Sequence, residues 1–170
     1  MYNVHITLFS VTTTSTTMAT DTVVLDAECK NYKVLDDARR HYTQRISENP
    51  YPENINLCDS DTAGSGLTYK GNWEGRNFYR IMGPAGSKIR EGCVPERNAC
   101  TTWQQGYISS GTHPTVPNQR ATLTVCFKNG YVCPPSNCIH SIDIEVINCG
   151  SYFVYDLLST DRCSYAYCSE

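Results

Sequence analysis

Cysteine and histidine are the residues of this chain with the most chemistry to offer, and their spacing limits what that chemistry is. Ten cysteines run from end to end: Cys29, Cys58, Cys93, Cys100, Cys126, Cys133, Cys138, Cys149, Cys163 and Cys168. A thiolate can attack a carbonyl, hold a metal or pair with a second sulfur. Zinc sites favour two sulfurs with two residues between them, because that spacing lets both reach one ion. The chain has no such pair. Its nearest cysteines, Cys133–Cys138 and Cys163–Cys168, have four residues between them, and His5, His41, His113 and His140 stand apart. An even and dispersed set reads instead as five disulfides made in an oxidising compartment. Oxidised sulfurs leave no thiolate for nucleophilic catalysis.

The remaining polar motifs are weaker. Asp59-x-Asp61-x-x-Gly64 begins like a calcium loop, but the fifth and twelfth positions are Ala63 and Lys70, where oxygen ligands are needed. A polar turn after Cys58 is the better reading. His113-Pro114 lies in a Gly/Thr loop, and neither G-x-S-x-G nor H-E-x-x-H occurs. A structural histidine is therefore expected. A secreted hydrolase would need a pocket converging on His113 with a carboxylate. Trp73 and Trp103, with twelve tyrosines, serve either a sugar- or protein-binding surface or a small β core, since these side chains pack at one end and hydrogen-bond at the other. Trp73, Trp103 and His113 are the candidate binding surface. No catalytic residue, metal or cofactor is expected.

Composition narrows the partners. Fourteen Lys+Arg against 17 Asp+Glu give a net charge of -3, without the clustered cations that displace counterions from nucleic acid. No apolar run reaches the ~18 residues of a membrane helix. The expected partner is an extracellular protein or glycan, with no nucleic acid and no membrane insertion by this segment. No Asn-x-Ser/Thr sequon occurs in the 170 residues. The segment Met1–Phe9 is too short and too polar for a signal-peptide core and has no Lys or Arg before it, so the chain reads as a fragment or as one with a misassigned start. Residues 1–28 are expected to be a disordered, Thr-rich lead-in, with Thr12 to Thr17 open to O-glycosylation. Residues 29–170 are expected to form one disulfide-rich domain.

The elements that must position these residues read as mainly β, an α+β domain with one short helix. Val34, Leu35, Ala38 and Tyr42 share one helical face over Tyr32 to Arg45, with Asp36 and Asp37 early and Arg39 and Arg40 later, as the helix dipole prefers. Ser47 to Asn56 carries Pro50 and Pro52 and is read as loop. Strands are expected at Asn77 to Met82, Thr122 to Phe127, Ile142 to Val146 and Tyr152 to Leu158, from aromatic content or alternation. Gly83-Pro84 and Gly150-Ser151 mark turns. Asn129-Gly130 predicts a two-residue hairpin into Tyr131-Val132, which would set Cys126 opposite Cys133.

The words between the cysteines carry a resemblance. Cys29-Lys-Asn-Tyr, Phe78-Tyr-Arg-Ile-Met-Gly-Pro-Ala-Gly86, Cys93-Val-Pro, Gly111-Thr-His-Pro, Tyr152-Phe-Val-Tyr and Cys163-x-x-x-x-Cys168 resemble the uromodulin-like "domain of eight cysteines", over about residues 29–168. The resemblance implies a secreted, non-enzymatic module of mosaic proteins. It also implies the bridges Cys29–Cys149, Cys58–Cys163, Cys93–Cys133, Cys100–Cys168 and Cys126–Cys138. The hairpin reading leaves Cys126–Cys133 open beside the last of these, and Pro134 to Asn137 intervene where the family places adjacent cysteines. In uromodulin such a region is a decoy, showing mannose-rich glycans to bacterial lectins. The glycan-bearing asparagines of that scheme fall on Ser110 and Asp156 here. Two further readings therefore stand beside the decoy: a binding or adhesion module using Asp59 to Trp73 or Gly106 to Pro117, and a structural spacer in a matrix or cell-surface protein.

Overall fold

Alternating apolar residues build one twisted sheet. The computed structural model describes residues 25–46, 55–62, 68–128, 130, 132–133 and 138–170. The Thr12 to Thr17 tract and Pro134 to Asn137 lie outside them. Among the described residues nine strands follow in order: β1 (Lys33–Leu35), β2 (Asn56–Leu57), β3 (Thr68–Tyr69), β4 (Asn77–Ile81), β5 (Gln104–Ser110), β6 (Arg120–Lys128), β7 (Cys138–Asn148), β8 (Phe153–Leu157) and β9 (Tyr165–Tyr167). Seven form a sheet ordered β1-β4-β8-β7-β6-β5-β9, and β2 pairs with β3 apart from it. The domain is mostly β, with short 3-10 turns as its helical part. None of its described helices is long and apolar enough to cross a membrane.

The central pair shows why the pattern folds this way. Leu123, Val125 and Phe127 of β6 and Ile144 and Val146 of β7 point to one face and are buried, as period-two alternation requires. Tyr79, Tyr155 and Tyr167 complete this core. The opposite face is polar between β6 and β7, where Thr124 donates to Asp143 at 2.7 Å. Near the Gly150 turn that face is covered instead by Leu25, Tyr32 and the Cys29–Cys149 bridge. Leu25 to Glu28 therefore belong to the packed body, with Asp26 and Glu28 both holding Arg120 at 2.9 Å.

Three local expectations are corrected. Tyr32 to Arg45 is not a helix: it is β1, paired in parallel with β4, followed by a 3-10 turn at Ala38–Arg40. The Asp37 carboxylate accepts from the Arg39 amide and starts that turn. Arg40 then leaves the polar face altogether, because Asp59 binds its guanidinium at both oxygens, at 2.6 and 2.7 Å, in full burial. Asn56, read as loop, opens β2. The Asn129-Gly130 hairpin is not a two-residue loop, since β6 ends at Lys128, paired with Cys138, and Val132 lies outside any strand. Cys126 faces Ser141 in the ladder, not Cys133. The buried Lys128 ammonium draws the chain back by donating to the Gly130 carbonyl at 3.0 Å, and Cys133 is tied away to Cys93.

Candidate functional site

The sulfurs come first, because they position everything else. Cys29–Cys149, Cys58–Cys163, Cys93–Cys133, Cys100–Cys168 and Cys126–Cys138 are bonded, and no cysteine is free. The Cys126–Cys133 alternative is thus not the pair formed. The sulfurs differ in exposure: Cys29, Cys58, Cys100, Cys126, Cys149 and Cys168 are buried, Cys93, Cys133 and Cys163 are half-buried, and Cys138 is exposed.

The three proposed surface residues separate. Trp73 is not on the surface. It is 5% exposed, stacks on Tyr79 with ring centroids 5.1 Å apart, and donates its indole N–H to Asp61 at 3.3 Å. Burying so large a ring against Tyr79 and Tyr167, whose ring centroid lies 6.2 Å away, removes a large apolar area from water. Asp59 and Ser60 are buried as well, whereas Asp61, Thr62, Tyr69 and Asn72 are exposed, so the Asp59 to Trp73 stretch is mixed where it is described. Trp103 is 50% exposed. Its backbone is fixed: the Trp103 carbonyl accepts from the buried Gln105 amide at 3.2 Å, and the neighbouring Thr102 hydroxyl donates to the Ser164 carbonyl at 2.8 Å. The adjoining Cys100 is bonded to Cys168.

His113 is buried, and both ring nitrogens are engaged. Nε2 pairs with the Tyr155 hydroxyl at 2.7 Å, and Nδ1 pairs with the Glu91 carboxylate. A carboxylate only accepts, so the proton belongs on Nδ1, and Nε2 accepts from Tyr155. The Tyr155 oxygen in turn accepts from the Ile89 amide at 3.2 Å. Every donor in this relay has an acceptor. Burial pulls the His113 pKa below its ordinary value, against the Glu91 hydrogen bond, which raises it. The bond from His113 holds the Glu91 carboxyl below its ordinary value.

Gly111 to Thr115, with Gln119, Ala121 and Thr122, line a shallow cavity of about 330 Å³ beside this histidine. A carboxylate and a cavity at His113 are what a hydrolase would need. Yet the ring has no nitrogen left for a substrate or a nucleophile, and its partners are Glu91 and the buried Tyr155. The arrangement locks a loop and supplies no general base. The first part of the Gly106 to Pro117 stretch is not loop but strand β5, and only the part from Gly111 forms the rim. Ser110 is exposed, whereas Asp156 forms a salt bridge to Arg76 at 2.7 Å.

Comparison with known proteins gives a consistent result. Residues 79–169 match the family of the uromodulin-like domain of eight cysteines. The pancreatic secretory granule membrane major glycoprotein GP2 of Canis lupus familiaris is 30% identical over 143 residues, which cover 84% of this chain and 23% of that protein. Its Rattus norvegicus counterpart is 29% identical over 146 residues, with the same two coverages. Rattus norvegicus uromodulin is 30% identical over 114 residues, 66% of this chain and 15% of that protein. The chain thus spans less than a quarter of the length of these curated relatives.

Proposed function

Since the chain belongs to the family of uromodulin-like domains of eight cysteines, we propose that it is a non-catalytic binding module that takes an extracellular protein or glycan on the surface around Trp103. The domain is extracellular, as its relatives and its five disulfides indicate. One observation carries the binding reading: a half-exposed tryptophan on backbone held by partly buried hydrogen bonds and a core disulfide. Rigid aromatic side chains lose little entropy on binding and dominate interface energetics. The non-catalytic part is supported by His113, whose ring is fully committed to structure. A glycan-displaying decoy finds no support here, because no sequon exists and Asp156 is spent on Arg76.

The test is to screen the full, unreduced chain against arrays of glycans and extracellular proteins, then repeat with Trp103→Ala. A binder that loses at least tenfold in affinity, roughly the loss expected of one interface anchor, supports the reading. A chain with no binder, or a variant that binds as well as the parent, favours the structural spacer.

A further inference from the structure

One bridge differs from the other four in ways that bear on reactivity. Cys126 is 1% exposed on β6, while its partner Cys138, at the start of β7, is exposed to solvent. A thiolate arriving from solvent therefore meets Cys138. Thiol–disulfide exchange also depends on which sulfur leaves more readily as the anion. The Tyr107 hydroxyl donates to Cys126 Sγ at 3.3 Å, and a hydrogen-bond donor stabilises a thiolate formed there. Burial raises the Tyr107 pKa, so the hydroxyl keeps its proton. Cys138 Sγ faces the His140 carbonyl oxygen at 3.3 Å instead, a dipole that disfavours negative charge on that sulfur. Cys93 and Cys149 likewise face carbonyl oxygens, of Val94 and Ile147, at 3.6 and 3.9 Å. Access and the donor aimed at the Cys126 sulfur thus point the same way across one bond, acting against the burial of Cys126, which disfavours a thiolate there.

We propose that Cys126–Cys138 is a thiol-exchange site that accepts a small-molecule thiol of the glutathione class on Cys138. The incoming thiolate sulfur bonds to Cys138 Sγ as the Cys126–Cys138 bond breaks. Cys126 departs with the bonding electron pair as a thiolate, held by the Tyr107 hydroxyl. One disulfide is exchanged for a mixed disulfide and one thiolate for another, so no further oxidant or reductant is consumed. The two strands stay paired on either side of the opened bond through Val125–Ile142 and Phe127–His140, which leaves the fold in place while one cysteine is modified.

The full chain is incubated unreduced with reduced glutathione, quenched with acid, treated with a thiol-capping maleimide and mapped by peptide mass spectrometry. The expected first product carries glutathione on Cys138 and the maleimide on Cys126, with the other eight cysteines still paired. Glutathione on Cys126, first attack at Cys93–Cys133, or reaction only when all bridges open together would overturn the proposal. Tyr107→Phe removes the donor and is expected to slow exchange about tenfold, the size of one hydrogen bond, relative to the Cys93–Cys133 rate in the same sample. An unchanged relative rate defeats the assignment of Cys126 as the leaving group. Should that variant fail to fold, the choice of sulfur in the parent chain still decides the matter.

Discussion

The β9 edge and the β6–β7 tip are each held by two disulfides, yet they are held in different ways. At the edge, Cys58–Cys163 and Cys100–Cys168 join residues 105 and 68 apart in sequence. They frame the Arg40–Asp59 pair, which is fully buried. Asp59 also closes the open side of β9: its amide donates to the Tyr165 carbonyl at 2.9 Å and its carboxylate accepts from the Tyr167 amide at 2.8 Å. A sheet edge with these groups paired offers no template to another strand. At the tip, Cys93–Cys133 and Cys126–Cys138 join residues 40 and 12 apart, and Cys138 faces water. Shorter loops remove less entropy from the unfolded chain. The difference teaches that bridges of one chemical kind do unequal tasks. Those at the edge hold the fold, and those at the tip shape an accessible surface.

The largest effect that could break this contrast is at the edge. Replacing Cys100 and Cys168 together with serine is expected to cost about 4 kcal/mol on the chain-entropy model, against about 3 kcal/mol for Cys126 and Cys138. Denaturant melts of the two double variants compare them directly, and a reversed order would erase the distinction. Asp59→Ala leaves Arg40 buried without its partner and should cost about 3–5 kcal/mol. A loss under ~1 kcal/mol in the same melt would show that the pair does not anchor the edge.

The two tryptophans sharpen the contrast on a smaller scale. Trp73→Ala opens a cavity against Tyr79 and is expected to cost about 3–5 kcal/mol, whereas Trp103→Ala should stay within ~0.5 kcal/mol. Similar losses for both would contradict the assignment of one to the core and the other to a binding surface.

The smallest effect is with pH. The His113 pKa in the fold lies below its unfolded value, because burial disfavours the charged ring. Its contribution to stability is therefore complete above the unfolded value, about 6.5, and is lost as pH falls through the folded value. Melts of the parent chain should weaken on acidification from neutrality, and His113→Gln should flatten that slope while lowering stability at pH 7. A variant as steep as the parent would remove His113 from the account.

Parts of the molecule were legible in the chain itself. Thr122 to Phe127 and Ile142 to Val146 alternate cleanly, and both are strands because period two fits a half-buried sheet and nothing competes with it. Tyr32 to Arg45 carried a helical period and is not helical. Its apolar residues found better partners in β4, and its Arg40 was claimed by a carboxylate 19 residues away. The Asn129-Gly130 signal was local, and the Lys128 bond to the Gly130 carbonyl together with the Cys93–Cys133 bridge overrode it.

The candidate site was less legible. Trp73 and Trp103 both follow loop-like sequence, and nothing in their neighbours says which one meets Tyr79. His113 gave no sign of Glu91 or Tyr155, which reach it from 22 and 42 residues away.

The chemistry of the sulfurs, the β character and the missing sequons were fixed by residue type and order, since these depend on counts and short spacings that no packing can alter. Which tryptophan is exposed, how the histidine is spent and which sulfur meets solvent were decided by tertiary structure alone. Each depends on contacts between segments far apart in sequence, and those distances exist only once the sheet has formed and packed its core.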